Sequence, residues 1–198
     1  MRRGKGKRTA RGAPVPTLRT RRLVLRRIRP TDAEAIFRYC SDPAVTRYVT
    51  FNTHRSLADT REFLRRSEKN RRQTGAPHWA ITLQRSGELI GLCGFLPLGE
   101  PRHRRGEFGY WMGKPHWGRG YTTEAVEALL AYGFRKMKLN RMQARVVVQN
   151  QASARVLEKA GLRLEGVLRQ FEELKGKFPD LKMYSMLQRE FVRRRRRN

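Results

Sequence analysis

The segment KPHWGRGYTTEA, residues 114–125, joins the end of one apolar stretch to the start of a predicted helix. Gly118 and Gly120 flank an arginine, and apolar residues recur at three- and four-residue steps from Val126 to Met137. A helix N-terminus carries free backbone N–H groups and a partial positive charge, and glycine lets that backbone approach an anion closely. The segment is typical of a phosphate-binding loop, although a helix-entry turn with glycines at positive φ would have the same residues.

The spacing of this loop excludes two familiar phosphate-binding motifs. No Gly-Lys-Ser/Thr sequence follows it, so it is not a Walker loop. The third glycine of the dinucleotide-binding fingerprint is missing, and the preceding strand lies in the middle of the chain. The residues alone therefore leave the phosphate and turn interpretations open.

Strand and helix patterns alternate on both sides of the loop. Apolar alternation or short apolar runs predict strands at residues 21–29, 78–83, 88–98, 104–113 and 141–148, and near 162–172 and 181–190. Helical patterns follow Thr31, Ser56 and Asn150, and no second domain boundary is visible. We predict a basic, disordered tail over 1–18, a single domain over 19–190 and an Arg-rich C-terminal tail over 191–198.

The composition is strongly basic. Lysine and arginine number 45 against 17 acidic residues, a formal net charge of +28, which attracts nucleic acid or acidic proteins at long range. An arginine-rich proteome would produce the same composition. No apolar run is long enough for a membrane span, and the basic N-terminus lacks the apolar segment of a signal peptide. Cys40, Cys93 and the four histidines show no pairing or ligand spacing, so we expect a cytoplasmic protein without a metal.

Two segments together, GEFGYWMGKPHWGRGYTTEAVEALLAYGF (106–134) and NRMQARVVVQNQASARVLEKAGLRLEG (140–166), resemble the GNAT superfamily of acyl-CoA N-acyltransferases. The likeness covers residues 18–190 and points to the RimJ/RimL-type branch, which acetylates protein N-termini and some small amines. It implies an α+β (α/β/α) fold, with a mixed, mostly antiparallel sheet of six or seven strands flanked by helices. By that likeness, strands 104–113 and 141–148 splay into a central V that admits acetyl-CoA.

The resemblance assigns the glycine loop to the cofactor. Backbone N–H groups would hold the acetyl-CoA pyrophosphate at Trp117, Gly118, Arg119, Gly120, Tyr121 and Thr122. Backbone groups of Trp111 and Met112 would pair with the pantetheine arm. Asn150 matches the family asparagine that binds the same arm, and it also suits a helix N-cap. The first loop position, glutamine or arginine in the family, is Pro115 here, whose side chain cannot contribute.

The resemblance also supplies catalytic candidates. Ser153 matches the family serine near the sulfur, where its hydroxyl would donate to the leaving thiolate; a local helical hydrogen bond is the alternative. Glu172 matches the RimL-like glutamate assigned to proton transfer, and Glu107, on the strand that opens the V, is the second candidate base. Tyr184 resembles the general acid of some relatives, although its strand also fits ordinary alternation. Glu124, in the first turn of the phosphate helix, is expected to cap or pack.

Three functions are consistent with these residues. The first is acetyl-CoA-dependent acetylation of the N-terminal α-amino group of a ribosomal protein, by direct attack in a ternary complex, with basic tails that contact ribosomal RNA. The second is the same chemistry on a small amine such as an antibiotic or a polyamine, which the positive field disfavours. The third is a non-catalytic RNA-binding module, against which the intact glycine loop and the Asn150–Ser153 segment argue.

Overall fold

The computed structural model describes residues 14–97 and 100–195. Its strands are β1 Leu18–Arg19, β2 Leu23–Arg27, β3 His78–Leu83, β4 Leu89–Phe95, β5 Arg105–Met112, β6 Arg141–Val147, β7 Arg163–Leu168 and β8 Leu181–Leu187. Its α-helices are α1 Ala33–Cys40, α2 Pro43–Thr46, α3 Leu57–Thr74, α4 Tyr121–Arg135, α5 Gln151–Lys159 and α6 Gln188–Arg195. The strands form one sheet in the order β1-β2-β3-β4-β5-β6-β8-β7. The predicted fold class is confirmed, with eight strands in place of six or seven.

The sheet opens between its two central strands. β5 and β6 run parallel, whereas the other neighbouring strands are antiparallel. Within the described strands they pair over only three residues, from Arg105 to Glu107 on β5 and from Arg141 to Gln143 on β6. Beyond Gln143 both strands continue without pairing to each other, so they diverge. The predicted V is confirmed, and its apex lies at Glu107 and Gln143.

The two faces of the sheet carry separate apolar cores. The larger core lies under α4 and α5 and takes Phe108 and Met112 from β5. The smaller core lies under α1 and α3 and takes Trp111 from the same strand. Because side chains alternate along a strand, Glu107 and Gly109 share the α1–α3 face with Trp111. On β6, core residues Met142, Ala144 and Val146 leave Gln143 and Arg145 on that same face.

The N-terminal segment that we assigned to a tail is partly packed. Val15 lies against the larger core, and Trp79 Nε1 donates a hydrogen bond to Pro16 O at 2.7 Å. The ordered domain therefore begins before residue 18. The remainder of the predicted tail, residues 1–13, lies outside the described residues.

The C-terminal segment also differs from the prediction. β8 ends at Leu187, and helix α6 follows where we expected the strand to continue to residue 190. Phe191 is buried, and its ring centroid lies 5.0 Å from that of Phe134 on α4. The predicted tail over 191–198 thus begins as a packed helix, because Phe191 supplies an apolar contact ahead of the arginine run. Its last three residues lie outside the described part of the chain.

Glu124 fastens the first turn of α4 to the start of β2. Its carboxylate accepts hydrogen bonds from Thr20 Oγ1 at 2.7 Å, from the Arg22 backbone N–H at 2.8 Å and from Arg22 Nε at 2.7 Å. Burial alone would raise the pKa of Glu124, but these hydrogen bonds hold it below its ordinary value. The contacts give Glu124 a packing role and anchor the helix whose N-terminus carries the glycine loop.

We expect Glu124→Ala to lower the free energy of unfolding by about 2 kcal/mol, because hydrogen bonds to a charged group are lost. Since the pKa of Glu124 is depressed, this contribution is present at neutral pH and is lost as pH falls through the folded-state pKa. Urea unfolding followed by circular dichroism measures it. Glu127→Ala is the matched control, because Glu127 lies on the same helix, is half exposed and, within residues 14–97 and 100–195, makes a single, long ion pair of 3.6 Å with Arg194. A loss no larger than that of the control would contradict the anchoring role.

Candidate active site

The loop before α4 presents a row of free backbone N–H groups, an arrangement that can bind an anion. Gly118 has φ +74° and Gly120 has φ +78°, a left-handed conformation that favours glycine. Glu124 N–H, which donates to Gly120 O at 3.1 Å, is the first N–H of the helix to find an acceptor. The backbone N–H groups of residues 118–123 have no acceptor among the described residues. A Cβ at Gly118 would meet nothing within 4 Å, so the approach to these N–H groups is open.

Contacts from neighbouring strands hold this loop in place. Arg22 Nη1 donates to Arg119 O at 3.1 Å, and the Arg22 guanidinium lies 4.6 Å from the ring centroid of Tyr121. Trp117 Nε1 donates to Met112 O at 2.6 Å and ties the loop to the end of β5. The free N–H groups are therefore fixed before any anion arrives, which lowers the ordering cost of binding.

Successive backbone N–H and C=O groups of β5 point alternately toward β4 and toward the open V. Hydrogen bonds of 2.8 Å join Glu107 O and Gly113 N–H to β4, so the odd-numbered backbone groups of this strand face β4. The backbone groups of Tyr110 and Met112 consequently face the open V. The backbone of Trp111 faces β4 and its side chain fills the smaller core, which corrects our expectation that Trp111 pairs with pantetheine. Tyr110 is better placed than Trp111 for that role, and Met112 stays a prediction.

Ser153 lies in the first turn of α5, within reach of β5. Asn150 Oδ1 accepts a hydrogen bond from Ser153 N–H at 3.2 Å, so Asn150 is the N-cap of α5. The Tyr110 hydroxyl and Ser153 Oγ lie 2.8 Å apart. Burial raises the pKa of Tyr110, so its phenol stays protonated and can donate. No pattern in the sequence predicts this contact between Tyr110 and Ser153.

The two glutamates predicted as bases meet on one arginine. Arg145 Nε donates to Glu107 Oε1 at 2.6 Å, and Arg145 Nη1 donates to Glu172 Oε2 at 2.5 Å. Gln143 Nε2 donates to Glu107 Oε2 at 3.0 Å, so both oxygens of Glu107 are occupied. Oε1 of Glu172 has no partner among the described residues. The geometry therefore favours Glu172 over Glu107 as the group that could receive a proton.

Glu172 does not lie on a strand, as we had expected. β7 ends at Leu168, and Glu172 belongs to the loop between β7 and β8. Strand alternation therefore does not place Glu172 and Glu173 on opposite faces. Glu173 nevertheless differs from Glu172 in its contacts. It is exposed, and its carboxylate accepts a hydrogen bond from Gly176 N–H at 3.2 Å.

Tyr184 does not present a free hydroxyl. Its hydroxyl donates to Glu158 Oε1 at 2.7 Å, and the residue is fully buried in the larger core. Burial and the Glu158 carboxylate raise the pKa of Tyr184 to about 12. The hydroxyl joins β8 to α5, so the general-acid role suggested by the resemblance is not supported for Tyr184.

Sequence reasoning did not single out the polar face of β6. Arg141, Gln143 and Arg145 alternate with Met142 and Ala144 in a strand that lies inside the sheet. A central strand normally buries apolar side chains on both faces, so a polar face at this position indicates a lined cleft. This alternation of polar and apolar residues is the feature of the sequence that could have identified Arg145 as a residue of the cleft.

Several other groups of the chain contribute no reactive site. Burial raises the pKa of the Cys40 thiol to about 12 and also raises that of Cys93, so both stay protonated. Within residues 14–97 and 100–195, no group of three or more His, Cys, Asp or Glu side chains is placed to hold a metal ion. No helix in the described part of the chain is long and apolar enough to cross a membrane.

The splayed strand pair and the free backbone N–H groups before α4 fit an acyl-CoA N-acyltransferase. Residues 22–163 match the acetyltransferase (GNAT) domain family. The chain is 35% identical over 178 residues to the uncharacterized N-acetyltransferase p20 of Bacillus licheniformis, covering 90% of this chain and 99% of that protein. The crystal structure of a GNAT-family acetyltransferase from Bacillus anthracis has a TM-score of 0.78 at 30% identity, covering 88% of this chain and all of the other.

A third relative has a named substrate. Over 100 residues the chain is 33% identical to the ribosomal-protein-serine acetyltransferase of Escherichia coli, covering 50% of this chain and 55% of that protein. The chain belongs to the GNAT acetyltransferase family, with RimJ/RimL-like relatives, and it is an acyltransferase. The predicted family and enzyme class are confirmed.

Proposed function

We propose that the chain transfers an acetyl group from acetyl-CoA to the N-terminal α-amino group of a ribosomal protein, by direct attack in a ternary complex. The observation that carries this proposal is the Oε1 atom of Glu172, which has no partner among the described residues. The other oxygen, Oε2, accepts a hydrogen bond from Arg145, which holds Glu172 on the α1–α3 face of the sheet. The Tyr110–Ser153 pair belongs to the opposite, α4–α5 face. Two substrates can therefore approach the V from opposite faces, which direct transfer requires.

The residues on the α4–α5 side fit acetyl-CoA. The free N–H groups of residues 118–123 suit a pyrophosphate, and the open space at Gly118 allows close approach. The inward backbone groups of Tyr110 and the N–H of Met112 suit the amides of the pantetheine arm, as does the NH₂ group of Asn150, because Met112 O and Asn150 Oδ1 already accept hydrogen bonds. Bound acetyl-CoA supplies an acyl thioester that is activated toward amines.

On the acceptor side, Glu172 would take the proton that the attacking amine must lose. An α-amino group has a reference pKa of about 8, far below that of lysine, so a useful fraction is neutral near pH 7. A carboxylate with a free oxygen can then receive the remaining proton as the new amide forms. This requirement supports an α-amino group over a lysine side chain as the acceptor.

On the leaving-group side, we assign proton donation to Ser153. Its Oγ–H would give its proton to the departing sulfur, and Ser153 would regain a proton from solvent once CoA leaves; the Tyr110 hydroxyl, 2.8 Å from Oγ, would orient the serine. The raised pKa of Tyr110 keeps that hydroxyl protonated over the working pH range. Glu107 takes no proton in this scheme, because both of its oxygens are hydrogen-bonded.

The choice of a ribosomal protein as acceptor rests on the named activity of the Escherichia coli relative and on charge. A net charge of +28 slows the encounter with cationic amines such as polyamines and favours acidic surfaces. We propose that the basic segments 1–12 and 193–197 add contact with ribosomal RNA. Co-sedimentation with ribosomes at two salt concentrations, with and without residues 1–12, tests that contact.

Calorimetric titration of the nuclease-treated protein with acetyl-CoA tests the cofactor half of the proposal. We expect micromolar binding that persists at high salt, because specific backbone N–H contacts are less screened than a diffuse positive surface. Desulfo-CoA serves as the control for the CoA portion. Binding that disappears at high salt would mean that acetyl-CoA binds the basic surface non-specifically, as any polyanion would. The cofactor assignment would then be overturned.

A panel of acceptors tests the other half. We expect release of free CoA with synthetic peptides that begin with an unblocked serine, and none with the same peptides acetylated at the N-terminus. Spermidine and an aminoglycoside represent the small-amine alternative. Turnover of these amines without turnover of any peptide would overturn the acceptor assignment and leave the chemistry in place.

A further inference from the structure

Arg145 occupies an unusual position for a charged side chain. It lies on β6 beyond the last residue that pairs with β5, on the α1–α3 face of the sheet. Only 19% of its side chain is exposed, yet it carries a full charge. A partly buried guanidinium needs partners with good geometry, and here two carboxylates supply them.

The two partners of Arg145 differ in how firmly they are held. Glu107 sits on β5 at the apex of the V, is 18% exposed and receives a second hydrogen bond from Gln143. Glu172 sits on the β7–β8 loop, is 35% exposed and has Arg145 as its hydrogen-bond partner among the described residues. Arg145 therefore connects a fixed carboxylate to one that has no other side-chain partner in the part of the chain that the structure describes.

The loop that carries Glu172 has few attachments of its own. Lys175 Nζ donates to Thr46 O on α2 at 2.6 Å, and Gln170 N–H donates to Asp180 Oδ1 at 3.0 Å. Phe171 is 57% exposed, and the Arg145 guanidinium lies 5.2 Å from its ring centroid. Arg145 thus contacts two successive residues of the loop, Phe171 by cation–π geometry and Glu172 by a charged hydrogen bond.

We propose that Arg145 is the positioning residue of the acceptor side. It fixes Glu172 at the V by linking it to Glu107, and its use of Oε2 leaves Oε1 turned toward the acceptor amine. Glu107 is then the anchor of Arg145 and is not a base. This inference rests on the proposed role of Glu172, and it assigns a function to a residue that touches neither substrate.

The test is a double-mutant cycle between Arg145→Met and Glu172→Gln, with acetyl-CoA and a peptide with a free N-terminal serine as substrates. Arg145→Met should lower kcat by about 10- to 100-fold, the loss expected from a misplaced group, and leave the acetyl-CoA Kd unchanged. In the Glu172→Gln background it should cause no further loss, because the group that it positions is already inactive. Arg145→Lys keeps the positive charge but can contact only one of the two carboxylates at a time. Its kcat should therefore lie between that of Arg145→Met and that of the wild type.

Arg26→Met is the matched control. Arg26 lies on β2, its side chain is 20% exposed, and it donates hydrogen bonds of 2.8 and 2.7 Å to Asp32, so the variant loses a comparable ion pair outside the proposed link. Its kcat should stay near that of the wild type. Equal losses in the two variants, or multiplicative losses with Glu172→Gln, would overturn the positioning role. If Arg145→Met does not fold, the cycle is run with Arg145→Lys, and the same two criteria decide.

The cycle also separates this inference from the proposed function. A wild-type rate for Glu172→Gln would overturn the base assignment itself. A strongly reduced rate for Glu172→Gln together with a wild-type rate for Arg145→Met would overturn only the positioning role.

Discussion

Glu172→Gln is expected to lower kcat by about 10²- to 10⁴-fold, the usual span for loss of a general base. Glutamine keeps the shape of the side chain and an oxygen that can accept the hydrogen bond from Arg145, but it cannot take a proton at the free position. Affinity for acetyl-CoA should not change, because the proposed cofactor contacts lie on the other face of the sheet. Steady-state kinetics with the serine peptide and calorimetry with acetyl-CoA measure the two quantities separately.

The neighbouring residue supplies the control for this prediction. Glu173→Gln removes a charge from the same loop, and the amide oxygen can still accept the hydrogen bond from Gly176 N–H. Its kcat should stay within about twofold of the wild type, as for most exposed substitutions away from special features. A near-wild-type rate for Glu172→Gln would assign proton removal to Glu107 or to water.

Gly118→Ala is expected to weaken acetyl-CoA binding by about tenfold or more, because a Cβ would enter the space through which a phosphate must approach the backbone. That space is open in the protein, where a Cβ at this position meets nothing within 4 Å. The left-handed backbone of this glycine adds strain of about 1–2 kcal/mol for any L-residue. Calorimetric Kd values and urea unfolding must therefore be measured on the same variant.

Gly87→Ala separates strain from the loss of a binding surface. Gly87 lies in the turn between β3 and β4, has φ +73° against +74° for Gly118, and its Cβ would also meet nothing within 4 Å. The two variants should lose similar stability, and only Gly118→Ala should lose affinity. Equal affinity for acetyl-CoA in both variants would mean that the glycine loop is a helix-entry turn and does not bind the phosphates.

Much of the fold could be predicted from local patterns. Helix α4 follows from the apolar spacing after Gly120, and the alternation around residues 78–95 indicates the β3–β4 hairpin. The extra strand β1 and the helix α6 could not be predicted in this way. β1 has two residues, too few for a periodic pattern, and α6 depends on Phe191 reaching Phe134 across the fold.

The residues of the candidate site also fall into two groups, those that local patterns predict and those that depend on contacts between distant parts of the chain. The glycine loop, the N-cap at Asn150 and a short list of acidic candidates could be predicted from the sequence, because each depends on residues close together in the chain. The contact of Tyr110 with Ser153 and the contacts of Arg145 with Glu107 and Glu172 depend on the three-dimensional fold, because they join residues 43, 38 and 27 positions apart. Such contacts arise from strand register and from the divergence of β5 and β6, and no local pattern of residues encodes which oxygen of a carboxylate is left free.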